Sequence, residues 1–121
     1  MSRRPTSSPT KLRIWQQNAR KSLHVTYDIL QQADPEKWDI IAIQEPYLDK
    51  MKKTRVNHYW RTHYPTNHSL DGQPRSRSLL LINTNISTDA YTSLQIPHHD
   101  FTGIRFSGTF GNLSIINAYI E

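Results

Sequence analysis

The sequence contains no cysteine. That absence excludes disulfide bonds, thiolate zinc sites and a cysteine nucleophile together, and it suits a reducing compartment without requiring one. Long apolar runs are missing too. The longest, Ile40 to Ile43 and Leu79 to Ile82, fall far short of the ~20 residues that cross a bilayer, so no membrane span is expected. No internal repeat or low-complexity tract stands out beyond the opening residues. Acidic residues are the scarcer charge: 10 Asp and Glu face 15 Lys and Arg, which gives a net charge of +5 and a pI of about 9.7. Such a balance favours polyanionic partners without specifying one.

The chain has 121 residues, room for one ordinary domain with a modest core. Its opening, MSRRPTSSPTK, is basic and rich in Ser, Thr and Pro, and no apolar stretch follows the charges, so it does not read as a secretory signal. Residues 1–10 read as a disordered basic arm and 11–121 as the folded part. Arg3, Arg4 and Lys11 carry charge of the kind found in nuclear addresses, and an intracellular, nuclear location is the corresponding expectation.

Leu12, Ile14 and Trp15 suit a strand over 11–18 that ends in the polar Gln16, Gln17 and Asn18. Ser22 is a ready helix N-cap, Leu23, Tyr27 and Leu30 recur at helical spacing, and Asp34-Pro35 closes a helix over 22–33. From Trp38 to Gln44, Ile40 and Ala42 point one way and Ile41 and Ile43 the other, so this strand is apolar on both faces. Strand, helix and strand in this order usually make a right-handed crossover with the strands parallel. Asn18 and Glu45 then finish on one rim, the rim at which α/β architectures bind ligands. Pro46 cannot donate to a ladder, and it stops the second strand at the carboxylate.

Further strands are predicted over 58–64, 78–83, 91–96, 101–106 and 113–120, with turn signals at Asp71-Gly72, at Pro97 and over 108–112. Short connections favour antiparallel neighbours, so the chain reads as a layered α/β or α+β domain built on a mixed sheet. In the last strand Leu113, Ile115, Asn117 and Tyr119 share a face by alternation, which should bring Asn117 and Tyr119 out together. A carboxylate such as Glu45 beside an amide suits a hard cation: magnesium takes one or two protein carboxylates and leaves the rest of its shell to water and phosphate.

The segments LRIWQQNARKS, WDIIAIQEPY, RSLLLIN and GNLSIINAYI occur in this order over nearly the whole chain from Lys11 onward. As an ordered set they resemble the endonuclease/exonuclease/phosphatase superfamily, most closely the endonuclease domain of non-LTR retrotransposons of the endonuclease–reverse transcriptase type. The resemblance implies a sandwich of two sheets faced by helices, of which this chain supplies the N-terminal half. It also implies metal-dependent hydrolysis of a DNA phosphodiester, magnesium or manganese as cofactor, DNA as partner, and a longer polypeptide bearing a reverse transcriptase. By the same resemblance Asn18 stands for the active-site asparagine, Glu45 for the metal-binding glutamate and Tyr119 for the tyrosine at the scissile phosphate.

Departures from the family pattern are equally plain. Arg20 stands where some relatives place an acidic residue, and the later Asp-x-Asn motif, a further metal-linked aspartate and the closing Asp-His pair have no counterpart here. An incomplete endonuclease domain, inactive on its own, is the first expectation. A non-catalytic nucleic-acid-binding remnant is the second, and a phosphatase of the same superfamily acting on a phospholipid or inositol phosphate is the third.

The remaining clusters read as follows. Lys52 and Lys53, within a basic loop that also holds Lys50 and Arg55, and Arg75 with Arg77 are candidate nucleic-acid contacts together with Asn117, against the plainer reading of solubilising charge. His58, His63 and His68 recur every five residues, a spacing that puts the first two on opposite faces of a strand, so no zinc site is expected there. His98-His99-Asp100 reads as a solvated loop.

Overall fold

A computed structural model describes residues 11–68 and 72–120. The arm expected over 1–10 and Asp71 of the expected turn lie outside the described residues. The chain forms β1 (Ile14–Asn18), α1 (Leu23–Gln32), β2 (Ile40–Gln44), β3 (Trp60–His63), β4 (Ser78–Asn83), β5 (Tyr91–Ser93), β6 (Phe101–Gly108) and β7 (Gly111–Ala118). A short 3₁₀ turn, Thr88–Ala90, leads into β5.

Ser22 caps α1 as its sequence position requires, its Oγ accepting from the Val25 amide at 3.1 Å. The helix stops at Ala33, just ahead of Pro35. Its fully buried stripe is Thr26, Ile29 and Ala33; of the Leu23–Tyr27–Leu30 spacing, Leu30 packs against that core while Tyr27 is 51% exposed. The stripe that seats on a sheet is the one able to approach closely, and small side chains allow that where a tyrosine does not.

β1 runs parallel to β2, in the register Ile14 opposite Ile40 through Asn18 opposite Gln44. β4 then pairs antiparallel with both β2 and β3, giving a mixed sheet of order β1-β2-β4-β3. The expected meander does not extend this sheet further. β5, β6 and β7 form a second, antiparallel sheet that packs across the first. Periodicity cannot announce such a switch, because β4 already has a neighbour on each side and the next strands have another apolar face to cover.

The mixed sheet is covered twice. Ile41, Ile43, Leu79 and Leu81 face Ile29 and Ala33 from the helix side, with Trp60 and Ala19. Ile40, Ala42, Leu80 and Ile82 face Ile104 and Phe106 of the second sheet, with Ile86 and Ala90. The two sets alternate along β2 and β4, as a strand buried on both faces requires. At the entry end of β2 the buried Asp39 accepts from the Arg13 amide (2.9 Å), Nε (3.0 Å) and Nη2 (3.0 Å), which fixes the start of β1 against β2. Among the described residues no helix is long and apolar enough to cross a membrane.

Candidate functional site

The opposite end of the β1–β2 pair is where the polar residues gather. The Ala19 amide donates to the Gln44 carbonyl (2.8 Å), the Lys21 amide to the Glu45 carbonyl (2.8 Å), and the Glu45 amide to the Arg77 carbonyl at the start of β4 (2.9 Å). Three chain segments are thereby stitched at one point of the rim. Glu45 turns there through φ 48°, in the left-handed region, and Arg20 and Lys21 do so at 51° and 61°. A residue with a Cβ enters that region at a cost of roughly 1–2 kcal/mol, which the surrounding hydrogen bonds must hold in place.

Asn18 and Glu45, chosen from the sequence, are brought together. Asn18 Nδ2 donates to Glu45 Oε1 at 3.1 Å, while its Oδ1 accepts from the Arg20 amide at 2.8 Å. The amide is therefore oriented by the backbone and presents a neutral donor to the acid. Two clefts meet at this contact. Glu45 lines one of ≈ 590 Å³ with Lys21, Tyr47, Arg75, Arg77 and His99. Asn18 lines a shallower one of ≈ 390 Å³ with Gln16, Gln44 and Tyr119.

Tyr119 lies just past β7, its amide donating to the Asp100 carbonyl at 2.9 Å and its ring beneath the Arg77 guanidinium at 4.7 Å. Arg77 in turn grips Asp100 with two bonds, Nε to Oδ1 at 2.7 Å and Nη2 to Oδ2 at 2.9 Å. Arg77, an expected nucleic-acid contact, is thus engaged inside the protein. Its backbone holds Glu45 and His99, and its side chain holds Asp100 and Tyr119. Arg75 is exposed and ties the loop after β2 by a 2.6 Å bond to the Leu48 carbonyl.

Asn117, expected to emerge with Tyr119 and touch nucleic acid, is instead buried between the sheets at 5% exposure. Its Nδ2 donates to the carbonyls of Ile43 (3.0 Å) and Leu79 (2.8 Å), and its Oδ1 accepts from Gln44 Nε2. Gln44 Oε1 accepts from Gln16 at 3.0 Å, so an amide ladder runs from β7 through β2 to β1 just under the rim. Asn117 and Tyr119 share a parity, but the strand ends between them and their surroundings diverge.

The His98–Asp100 segment is not the solvated loop that its composition implied. Asp100 is buried, His99 Nε2 lies 3.4 Å from its Oδ1, and the two imidazoles stack at 4.4 Å. Burial alone pushes the Asp100 carboxyl up, but the Arg77 bond and the fields of His99, Arg77 and His98 together bring it below the ordinary value. Metal-capable atoms of His98, His99 and Asp100 fall within 4.8 Å of one another. Both Asp100 oxygens are already bound to Arg77, and His98 Nδ1 accepts from the Asp100 amide at 3.1 Å, so the donors point inward.

The basic loop after β2 is shaped by Asp49, whose Oδ1 accepts from the amides of Met51 (2.8 Å) and Lys53 (3.0 Å). Those bonds from Lys53 and Met51, with the nearby Arg55 and Lys53 charges, hold the Asp49 carboxyl below its ordinary value despite some desolvation. Lys53 is exposed on this loop, whereas the Lys52 carbonyl accepts from His68 Nε2 at 2.6 Å. That bond fixes the tautomer, so His68 Nδ1 accepts from Ser76 Oγ at 2.7 Å. His68 is therefore a strut between the loop and the segment that enters β4, a role that its spacing from His58 and His63 did not mark. Asp100 and Gln44 were equally silent, since one sits in a charged tripeptide and the other ends an apolar run.

No protein-family model matches this chain. No curated protein matches it either. Among solved structures, the endonuclease domain of TRAS1, a telomere-specific non-LTR retrotransposon, aligns with a TM-score of 0.62 at 18% identity. The match covers 92% of this chain and 45% of that one, so this chain spans less than half of that structure's length. The chain shares part of that domain's fold, with a helix on a mixed sheet and a second sheet beneath it.

Proposed function

We propose that this chain is the glutamate-bearing part of a divalent-metal-dependent site for phosphodiester hydrolysis in DNA. The observation that carries the reading is the Asn18–Glu45 hydrogen bond of 3.1 Å, made at a rim where Glu45 is held at φ 48°. A left-handed glutamate with its backbone locked to two neighbouring strands supports a role for that carboxylate's direction, because a solvated strand end has no need of one. The fold shared with a retrotransposon endonuclease domain supports DNA as the substrate class.

The donor set fits magnesium or manganese, since one half-buried carboxylate beside a neutral amide satisfies an ion that keeps most of its shell for water and phosphate. When bound, the ion would neutralise charge on a phosphate oxygen. The protein's own part is positional. Glu45 would hold the ion, Asn18 would orient the acid, and Tyr119, fixed beneath Arg77, would border the cleft in which a phosphate sits.

Titration with magnesium, read by amide shifts of the rim residues, tests this. Binding should vanish in Glu45→Gln and weaken about tenfold in Asn18→Ala, the scale of losing a group that orients a metal ligand. The isolated chain should not nick supercoiled plasmid in magnesium, because the described part of the cleft holds no second unpaired acid beside Glu45. DNA binding that persists without metal and ignores Glu45→Gln would favour a second reading, a non-catalytic nucleic-acid-binding module. The engagement of Arg77 inside the protein speaks against that reading, as it withdraws one cation from the surface.

A further inference from the structure

Of the two clefts that meet at Glu45, the deeper one, ≈ 590 Å³, takes no part in the reading above. Its volume is ordinary for a site that holds a small organic ligand. The walls come from the turn after β1, the loop after β2, the segment that enters β4 and the turn before β6, each lying between two described elements. The cleft is therefore not an unfinished sheet edge.

Lys21 and Arg75 supply its open positive charge. Lys21 is exposed, makes no ion pair among the described residues, and stands in the left-handed region at φ 61° with its amide tied to the Glu45 carbonyl at 2.8 Å. That strained backbone fixes where the ammonium starts, as it does for the acid beside it. Arg75 donates from Nη2 to the Leu48 carbonyl at 2.6 Å, and its Nη1 and Nε meet no acceptor among the described residues. Arg77, the third cation, is spent on Asp100. Two uncommitted cations thus share the cleft with one carboxylate, Glu45, and with the apolar rings of Pro46, Tyr47 and Pro74.

We propose that this cleft seats the nucleotide next to the scissile phosphate, with Lys21 and Arg75 on that nucleotide's own phosphate and its base against Tyr47 and the two prolines. The proposal rests on the reading of Glu45 as the metal ligand, which puts the reacting phosphate at the rim between the clefts. An inorganic anion alone would leave the apolar wall in water, and an apolar ligand alone would strand two charges. A nucleoside monophosphate answers both: every base has a π-face, and its phosphate takes a point charge from Lys21 and a fork from Arg75. No Asn or Gln lines the cleft, and these are the side chains that read adenine edges, so the bases should be held without being told apart.

NMR shifts of the parent chain in EDTA test this, with deoxyadenosine monophosphate, deoxycytidine monophosphate, inorganic phosphate and myo-inositol 1-phosphate as probes. Both nucleotides should move the amides of Lys21, Tyr47 and Arg75 and bind about tenfold more tightly than either probe that lacks a base, the scale of one stacking contact. Tyr47→Ala should bring the nucleotides down to the level of phosphate, and Tyr47→Phe should restore them. Lys21→Gln should weaken nucleotide and phosphate alike by about fivefold, as for one exposed charge contact, whereas Lys37→Gln, an exposed cation near the opposite end of β2, should change neither. Shifts centred on Tyr119 and the shallow cleft, equal affinity for nucleotide and phosphate, tighter inositol phosphate, equal losses in Lys21→Gln and Lys37→Gln, or no saturable shift with any probe would each overturn the proposal. The metal reading fails separately. Without metal, Glu45→Gln should still bind the nucleotides, so magnesium binding indifferent to Glu45→Gln beside an intact nucleotide pattern would sink that reading and leave the cleft's ligand standing.

Discussion

In the mixed sheet every residue of β2 and β4 is buried, whereas in the antiparallel sheet Asn117 is the one buried residue of β7. One sheet is clamped between a helix and a second sheet; the other rests on it with a single face covered. The difference bears on function, because the site stands on the clamped sheet. A strained carboxylate needs supports that do not yield, and the buried middle of a domain opens least often. The looser sheet contributes through the one buried residue of β7, as Asn117 reaches the carbonyls of β2 and β4 beneath Glu45.

Truncating the same side chain in each sheet is the strongest way to break this contrast. Leu81→Ala, at a site 1% exposed and enclosed by helix and sheet, should cost about 4 kcal/mol in urea unfolding, while Leu113→Ala at 45% exposure should cost under about 1 kcal/mol. Equal losses would mean that the two sheets are equally packed. Next in size is the anchor at the far end of β2. Asp39→Asn leaves Arg13 without its carboxylate, and as Arg13 is a third exposed the loss should sit near the low end for a broken buried pair, about 3 kcal/mol. Magnesium affinity at Glu45 should fall with it if register is set from that end, and a folded variant with unchanged affinity would show that the rim holds itself.

Much of the clamped sheet was legible in the sequence, and little of the looser one was. Four apolar residues running into Gln44, Glu45 and Pro46 could only be a two-sided strand with an abrupt polar end, and Asn18 followed from the crossover geometry. β6 and β7 were located within two residues of their observed ends, but not their sheet, since alternation reports which face is apolar and not what will cover it. Asn117 carried the same ambiguity. A polar residue at an inward parity reads as surface until the amide ladder beneath the rim is seen to satisfy it. Arg77 misled for the mirror reason: a cation next to a serine looks like a phosphate ligand until Asp100, remote in sequence, accepts from its Nε and Nη2.

A smaller effect separates the two regions by pH. Burial first, and then the charges of Lys52, Lys53 and Arg75, hold the His68 ring below its ordinary 6.5, against the Lys52 carbonyl bond that favours the charged form. A histidine kept neutral in the folded state contributes stability that is present above its unfolded value and is lost as pH falls through 6.5 towards the lower folded value. Asp100, with its folded value below 3.8, contributes stability that is present above 3.8 and disappears only as pH falls further. Urea midpoints should therefore decline in two steps on acidification. His68→Gln should shrink the first step, to which burial of the His63 ring also contributes, and leave the second, and a single step in the parent chain would contradict both assignments.

The smallest expected change is also the one of opposite sign. Glycine adopts φ 48° without the Cβ clash, so Glu45→Gly relieves the backbone while giving up one hydrogen bond from an exposed Asn18. Greater freedom of the unfolded glycine chain offsets part of the gain, and the net should be a stabilisation of about 0.5 kcal/mol with magnesium binding abolished. Glu45→Gln keeps the strained backbone and removes only the charge, so it should lose the metal with no gain in stability. A chain that tolerates a left-handed glutamate where glycine is more stable is keeping the acid for what it does. If Glu45→Gly proves less stable than Glu45→Gln, the backbone at the rim is set by the side chain's own contacts, and the argument from strain to function fails at its first step.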